Sequence, residues 1–314
     1  MKSFYLTDAG KVRDHNEDSV IIVKNKNNEC LMAIADGMGG HSAGEVASSI
    51  AIGYLGKHFQ ETFLNLSKVD AVEWIRNSTN EINSLIFQHE KTHPESKGMG
   101  TTLVLAIITE DYILFGNVGD SSGYVMKDNK LHKVTYDHTL VNLLVSAGEL
   151  TKEEAKEHPK KNVLMKALGA NDPVEIDVFD CDMEIDEILL CSDGLTNMLE
   201  NDQIERVLLG DSGPKEKVEK LVVSLKYESY RWNLFRLALE YKYAFLLTMH
   251  KELVEAREKG LFDKSYFTDR AWENANRIVD DMDGYFDDTC RGELKKYGSA
   301  EELSVAANKY WKKS

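Results

Sequence analysis

Short runs of apolar and β-branched residues in the first part of the chain predict a series of β-strands. Several of these runs are apolar without alternation, which indicates strands that are buried on both faces. The predicted strands are Ser19–Lys24, Cys30–Ala35, Thr102–Ile108, Tyr112–Val118 and Glu187–Cys191.

Two longer segments between the strands carry apolar residues at helical spacing and predict helices over Ala43–Phe59 and Lys68–Phe87. A short helix is predicted over Thr151–Glu157, where Thr151 and Glu154 have the spacing of a capping box. Strands and helices in this order indicate a layered α+β domain.

The pattern changes near Lys226, beyond which turn signals are scarce. The segment Tyr227–Lys259 has helical periodicity and predicts one long helix. Further helices are predicted over Thr268–Tyr285 and Ala300–Lys312. We therefore predict a larger α+β domain over residues 1–225 and an all-helical module over residues 226–314.

Electrostatic charge limits the classes of partner. The 314-residue chain has a formal net charge of −15, and no block rich in Lys and Arg offsets it. This charge repels nucleic acid and anionic lipid, so we expect neither as a partner. It also repels phosphate, so a phosphate-handling site in this chain needs metal cations or a well-placed arginine.

Cysteine spacing and apolar content limit the kinds of metal or redox site and the cellular location that we expect. The four cysteines lie far apart without a CxxC pair, which predicts reduced thiols rather than a zinc site or a redox dithiol. We identify no signal peptide, and no stretch approaches the ~20 apolar residues of a membrane span. We therefore expect a cytoplasmic protein.

The most informative motif is an apolar strand that runs into an aspartate and a glycine-rich turn, Ala33-Ile-Ala-Asp36-Gly37-Met-Gly-Gly40-His41. A carboxylate at a strand end, followed by glycines that let the main chain approach a ligand, suits a hard cation held by carboxylate and carbonyl oxygens. A bare Asp-Gly pair, by contrast, is usually an ordinary tight turn.

Three further acidic motifs lie at the ends of predicted strands. They are Glu17-Asp18, Gly119-Asp120-Ser121 and Cys191-Ser-Asp193-Gly194. Each alone is compatible with a surface turn. Antiparallel strands, however, can gather their ends at one rim and so build an oxygen-lined metal cluster.

Such a cluster favours Mg²⁺ or Mn²⁺. Two cations about 3.5–4 Å apart can activate a bridging water and stabilise charge on a phosphoryl group. Arg13, just upstream of Glu17 and Asp18, has a planar fork that can bind phosphate through two hydrogen bonds. Without the surrounding motif, a surface salt bridge explains Arg13 equally well.

Together these motifs resemble the PPM family of metal-dependent protein phosphatases, the type 2C enzymes, in particular the bacterial stand-alone form. The matching segments follow the family's order and cover residues 8–18, 35–45, 98–102, 116–121, 137–138, 162–169 and 191–195. The resemblance implies an α-β-β-α sandwich of two antiparallel sheets flanked by helices. It also implies hydrolysis of phosphomonoesters on serine and threonine by direct attack of a metal-bound water or hydroxide.

The resemblance also implies a set of metal ligands. By it, Asp36 bridges two metal ions, the backbone carbonyl of Gly37 ligates one of them, and Asp193 ligates the other. Asp120 serves a third metal that is held more weakly.

The same resemblance assigns roles around the metals. Glu17 and Asp18 act through metal-bound waters, and Arg13 receives the substrate phosphate. His138 precedes a flap near residues 145–161 and could protonate the leaving alkoxide, and a structural role for it stays open. For His41 we expect a local bond within the glycine-rich turn.

Two features depart from the family. Its last Asp-Asn element, whose aspartate ligates the same metal as Asp193, has no counterpart after Leu225 except a textual echo at Asp287-Asp288-Thr289. One ligand fewer predicts weaker binding of one catalytic metal and reduced activity. The last apolar strand is missing too, and the helical module either covers the resulting sheet edge or forms its own bundle. Ser122 stands where the family commonly has arginine, which predicts a changed local salt bridge.

The leading hypothesis is therefore a metal-dependent serine/threonine phosphoprotein phosphatase, paired by analogy with a cognate Ser/Thr kinase. The alternative is a pseudophosphatase or regulatory module that has a weakened metal site and binds proteins through its altered C-terminus. Metal binding separates the two hypotheses.

Overall fold

A computed structural model describes residues 2–9, 15–40 and 43–225 of the chain. These residues belong to the first of two units, Met1–Lys226. The helices predicted after residue 226 lie outside the described residues, as do Arg13 and His41. The domain boundary after residue 225 stays a prediction.

The strands lie in two antiparallel sheets. Their bounds are β1 Asp18–Lys24, β2 Cys30–Met38, β3 Gly100–Thr101, β4 Leu103–Ile108, β5 Ile113–Val118, β6 Ser122–Lys127, β7 Lys130–Lys133, β8 Asp177–Cys181 and β9 Glu187–Cys191. The larger sheet has the order β1-β2-β4-β5-β8, with β3 paired to the end of β2. The smaller sheet has the order β7-β6-β9.

The helices flank the sheets, and one of them has the N-terminal cap that the sequence predicts. Their bounds are α1 Ala43–Thr62, α2 Lys68–Thr92, α3 Leu140–Ser146, α4 Lys152–Glu157, α5 Asp193–Thr196, α6 Asn201–Leu208 and α7 over residues 214–225, with a 3₁₀ turn at Pro94–Ser96. At α4 the predicted capping box between Thr151 and Glu154 is confirmed.

Alternating side chains of the larger sheet separate two cores, because successive residues of a strand point to opposite faces. On β4, Leu103, Leu105 and Ile107 belong to the core with α1 and α2. Val104 and Ala106, between them, belong to the core with the smaller sheet. The predicted burial of this apolar run on both faces is confirmed.

A third core lies on the other side of the smaller sheet, where Met126 of β6 packs with Leu199 and with residues of α6 and α7. The three cores place the layers in the order helices, sheet, sheet, helices. The predicted α-β-β-α sandwich of two antiparallel sheets is thereby confirmed for the described residues.

Strand β2 extends farther than its sequence predicts. Asp36, Gly37 and Met38 still belong to the strand, because Gly37 and Met38 pair with Thr101 and Gly100 of β3. The prediction of a turn immediately after Asp36 is therefore wrong. The left-handed backbone begins at Gly39, whose φ is +143°.

Candidate metal centre

An open cleft of about 280 Å³ collects most of the predicted site residues. Its lining consists of Glu17, Asp36, Gly37, Met38, Gly39, Thr102, Asp120, Asn162, Leu164 and Asp193. The acidic motifs from distant parts of the chain thus meet at one rim, as the sequence predicts. Thr102, Asn162 and Leu164 were not among the predicted site residues, although their segments were part of the family resemblance.

The cleft takes residues from both sheets. Asp36 belongs to β2 of the larger sheet, and Asp193 opens α5 directly after β9 of the smaller sheet. Asp120 lies in the turn that leads from β5 of the larger sheet to β6 of the smaller one. The relative position of the sheets therefore sets the spacing of these carboxylates.

Hydrogen bonds from Thr102 connect Asp36 to the turn that carries Asp120. The backbone N–H of Asp36 donates to Thr102 Oγ1 at 2.9 Å, and the N–H of Thr102 donates to the carbonyl of Asp36 at 2.9 Å. Thr102 Oγ1 also lies 2.7 Å from Ser121 Oγ. One buried hydroxyl thus fixes two of the acidic motifs against each other.

The Glu17-Asp18 motif is held at both of its residues. The carbonyl of Glu17 accepts hydrogen bonds from the N–H of Gly37 at 3.1 Å and from Ser48 Oγ of α1 at 2.7 Å. Asp18 faces Asp36 in the β1–β2 register, and its Oδ2 accepts from Ser192 Oγ at 2.8 Å. Asp18 does not line the cleft, but it pairs with the lining residue Asp36 and bonds Ser192, which precedes the lining residue Asp193.

The glycines of the motif are required by close packing. A Cβ on Gly37 would lie 2.1 Å from the carbonyl oxygen of Gly44 in α1, far inside van der Waals contact. A Cβ on Gly44 would lie 2.7 Å from the carbonyl carbon of Gly37. Residues without side chains at both positions let α1 approach β2 at the cleft.

Negative charge accumulates in the cleft. Burial, together with the neighbouring charges of Asp193 and Asp137, raises the pKa of Asp120 to about 7. Asp193 itself accepts a hydrogen bond at Oδ2 from Asn197 Nδ2 at 2.9 Å. A cation in the cleft would relieve the repulsion between these carboxylates.

The donor set fits a hard divalent cation. Carboxylates and a backbone carbonyl are the oxygen ligands that Mg²⁺ and Mn²⁺ prefer. In the described part of the chain, no three His, Cys, Asp or Glu side chains are grouped closely enough to form a ligand set by themselves. A cation in this cleft would need further oxygen ligands, such as backbone carbonyls or the waters that Mg²⁺ usually keeps.

His138 lies outside the lining of the cleft, and both of its ring nitrogens bond within the protein. Nδ1 lies 3.0 Å from the backbone nitrogen of Gly119, and Nε2 lies 3.0 Å from Asp177 Oδ2. The side chain is 12% exposed. Both ring nitrogens are thus engaged within the protein, and the role of proton donor stays a prediction.

A local ion pair occurs where the family's arginine is replaced by Ser122. Asp137 accepts hydrogen bonds from Ser122 Oγ at 3.1 Å and from Lys133 Nζ at 2.6 Å. Lys133 of β7 thus supplies the positive charge beside Asp137.

No helix among the described residues has the length and apolar character needed to cross a membrane.

The sequence profile described as Protein phosphatase 2C matches residues 10–225. The chain is 40% identical to the serine/threonine phosphatase stp of Listeria welshimeri over 231 residues, which cover 73% of this chain and 91% of the relative.

Solved structures agree with the sequence comparison. The crystal structure of the serine/threonine phosphatase Stp1 from Staphylococcus aureus matches with a TM-score of 0.68 at 36% identity, covering 71% of this chain and 88% of that one. The catalytic domain of the phosphatase PstP in complex with two manganese ions matches with a TM-score of 0.60 at 32% identity, covering 71% and 90%. With its profile match, its fold and the arrangement of its acidic cleft, the chain belongs to the protein phosphatase 2C family.

Proposed function

We propose that the chain is a metal-dependent serine/threonine protein phosphatase that hydrolyses phosphomonoesters of phosphoproteins. The observation that carries the proposal is the convergence of Asp36, Asp120 and Asp193 from two sheets on one cleft. The relatives named as serine/threonine phosphatases support it, since the match covers nearly all of their length.

The proposed cofactors are two Mn²⁺ or Mg²⁺ ions and a third, weaker one. Asp36, the carbonyl of Gly37 and Asp193 would hold the first two, and Asp120 would hold the third. When bound, such ions activate a water molecule and neutralise charge on a phosphoryl group. The two manganese ions in the related PstP structure support the choice of metal.

The other residues of the site orient what the cleft binds. Glu17 and Asp18 would hold ordered waters through their carboxylates, and Arg13 would bind the substrate phosphate with its planar fork. Thr102 keeps Asp36 and the Asp120 turn in one arrangement through its hydroxyl group. Preorganisation of this kind reduces the reorganisation needed during the reaction.

A pseudophosphatase with a weakened metal site is the second candidate. It is favoured by the missing counterpart of the family's last Asp-Asn element, because one ligand fewer would weaken one of the metal sites. Calorimetric titration with Mn²⁺ separates the candidates, because a pseudophosphatase of this kind would show no binding at millimolar metal.

The proposed partners are phosphoprotein substrates and a cognate Ser/Thr kinase in the cytoplasm, with protein contacts made by residues after 226. Co-purification of the full chain and of a chain ending at residue 225 tests the last of these contacts. Equal recovery of partners with both chains would contradict it.

The activity itself is tested with an aryl phosphate and a phosphothreonine peptide in the presence of Mn²⁺. Asp36→Asn should lose activity by at least about 10²-fold, since it would remove a carboxylate proposed to hold the catalytic metals. Asp111→Asn, an exposed carboxylate outside the cleft, is the matched control. Equal rates for the wild type and Asp36→Asn would refute the proposed function.

A further inference from the structure

We propose that His138 is a positioning residue, which fixes the turn of Gly119 and Asp120 and does not protonate the leaving group. Asp177 fixes the tautomer of His138 in turn. This inference rests on the proposed function, since it takes Asp120 as a metal ligand.

His138 contacts both polar groups of the Gly119 backbone. The backbone N–H of His138 donates to the carbonyl of Gly119 at 2.9 Å, and the N–H of Gly119 donates to Nδ1 of the ring at 3.0 Å. Asn117 Nδ2 adds a second donor to the Gly119 carbonyl at 3.2 Å. The two peptide groups that flank Gly119, immediately before Asp120, are thus both held by hydrogen bonds.

These contacts assign the protons of the ring. A backbone N–H can only donate, so Nδ1 of His138 must accept and carries no proton. The remaining proton of the neutral ring is on Nε2, which donates to Asp177 Oδ2 at 3.0 Å. Neither ring nitrogen is left to deliver a proton to a substrate in the cleft.

Asp177 is suited to this supporting role. Its other oxygen, Oδ1, accepts from Lys166 Nζ at 3.3 Å. Burial disfavours the charge of Asp177, but the hydrogen bonds from His138 and Lys166 outweigh it and hold the pKa of Asp177 below its ordinary value. An ionised Asp177 accepts from Nε2 and so keeps Nδ1 available for Gly119.

The turn needs such support because its backbone is unusual. Gly119 has a φ of +105°, and a Cβ there would lie 2.6 Å from Thr102 Cγ2. Thr102 bonds the turn at Ser121, and His138 bonds it at Gly119. Hydrogen bonds at Gly119 and at Ser121, the residues before and after Asp120, thus hold the backbone from which its carboxylate projects.

Paired substitutions of His138 separate positioning from proton transfer. In His138→Asn, the amide oxygen can replace Nδ1 as the acceptor for Gly119. In His138→Gln, the longer amide can reach Asp177 but leaves the Gly119 N–H without its acceptor. If His138 positions the turn, the Asn variant should resemble the wild type, and the Gln and Ala variants should resemble each other.

The first readout is Mn²⁺ binding to the metal-free protein by calorimetry, with Asp120→Asn as the reference. Asp120→Asn should abolish one Mn²⁺ binding step. His138→Ala and His138→Gln should weaken the same step by about threefold to tenfold, the effect of one lost hydrogen bond. If Asp120→Asn binds like the wild type, Asp120 is not a ligand, and the proposed third metal site and the positioning role built on it both fail, while the sites of the first two ions stand. If only the His138 variants bind like the wild type, the positioning role alone fails.

The second readout compares substrates with good and poor leaving groups, p-nitrophenyl phosphate and phenyl phosphate, under saturating Mn²⁺. Loss of a proton donor slows the poor leaving group far more than the good one. Loss of a positioning residue slows both by a similar factor. A selective loss with phenyl phosphate in all three His138 variants, including His138→Asn, would overturn the inference.

Discussion

Gly37 of β2 and Gly44 of α1 are in direct backbone contact, so close that a Cβ on Gly37 would lie 2.1 Å from the Gly44 carbonyl oxygen. The contact joins the strand that carries Asp36 to the start of the first long helix. The spacing of the glycines in this motif is therefore determined by packing between two elements.

Gly44→Ala should destabilise the protein and weaken Mn²⁺ binding, because the new methyl group separates α1 from β2. We expect a loss of about 1–3 kcal/mol in the free energy of unfolding, the usual cost of overpacking. Urea unfolding of the metal-free protein measures it.

Gly53→Ala is the matched control in the same helix, since a Cβ at Gly53 meets no atom within 4 Å. It should stabilise the protein by about 0.5–1 kcal/mol through helix propensity. Equal effects of the two substitutions would show that the contact between Gly37 and Gly44 is unimportant.

Thr102→Val should destabilise the protein and lower its Mn²⁺ affinity. The substitution keeps the shape of the side chain but removes the hydroxyl group that bonds the N–H of Asp36 and the Ser121 hydroxyl. An unsatisfied buried donor costs about 1–3 kcal/mol. Thr102→Ser retains the hydroxyl and should keep most of the metal affinity, measured by calorimetry, and an equal loss in both variants would contradict this role.

The stabilising contribution of Asp177 should depend on pH. Its pKa is lowered in the folded state from the ordinary value of 3.8, so the carboxylate stabilises the fold above that value and ceases to do so as the pH falls through the folded-state pKa. The contribution is measured as the difference in unfolding free energy between the wild type and Asp177→Asn, which should be present in full at about pH 5. It should shrink below about pH 4 in urea titrations.

Metal binding should stabilise the fold. At a free Mn²⁺ concentration 100 times the dissociation constant, the gain in unfolding free energy is about 2.7 kcal/mol. Asp193→Asn should lose most of this gain, since it removes a ligand from the smaller sheet. Asp202→Asn, a carboxylate 72% exposed on α6, should keep it. Equal melting temperatures of wild type and Asp193→Asn at saturating Mn²⁺ would argue against the assigned ligand.

Sequence patterns predict the strands whose residues are apolar on both faces, such as Leu103–Ile108, because burial fixes their composition. They do not predict β8, Asp177–Cys181, which is rich in acidic residues and lies at the edge of the larger sheet. They also do not predict β6, where Gly123 lies in the strand against Phe115.

The metal-binding carboxylates of the site could be predicted where an Asp-Gly motif follows an apolar run, as at Asp36 and Asp193. The contact of His138 with Asp177 spans 39 residues of sequence and carries no local signal. Likewise, the sequence gives no sign that Thr102 bonds both Asp36 and Ser121, because that depends on the pairing of β2 with its neighbours.

The core between the two sheets has a consequence for the cleft. Phe115 of β5 and Leu190 of β9 pack in it, and these two strands lead to the cleft carboxylates of Asp120 and Asp193. A change of side-chain volume at either position would alter the distance between the sheets and, with it, the gap that a cation must bridge. Conversely, ions bound across that gap would tie one sheet to the other, so we expect the sheets to unfold more cooperatively when metal is present.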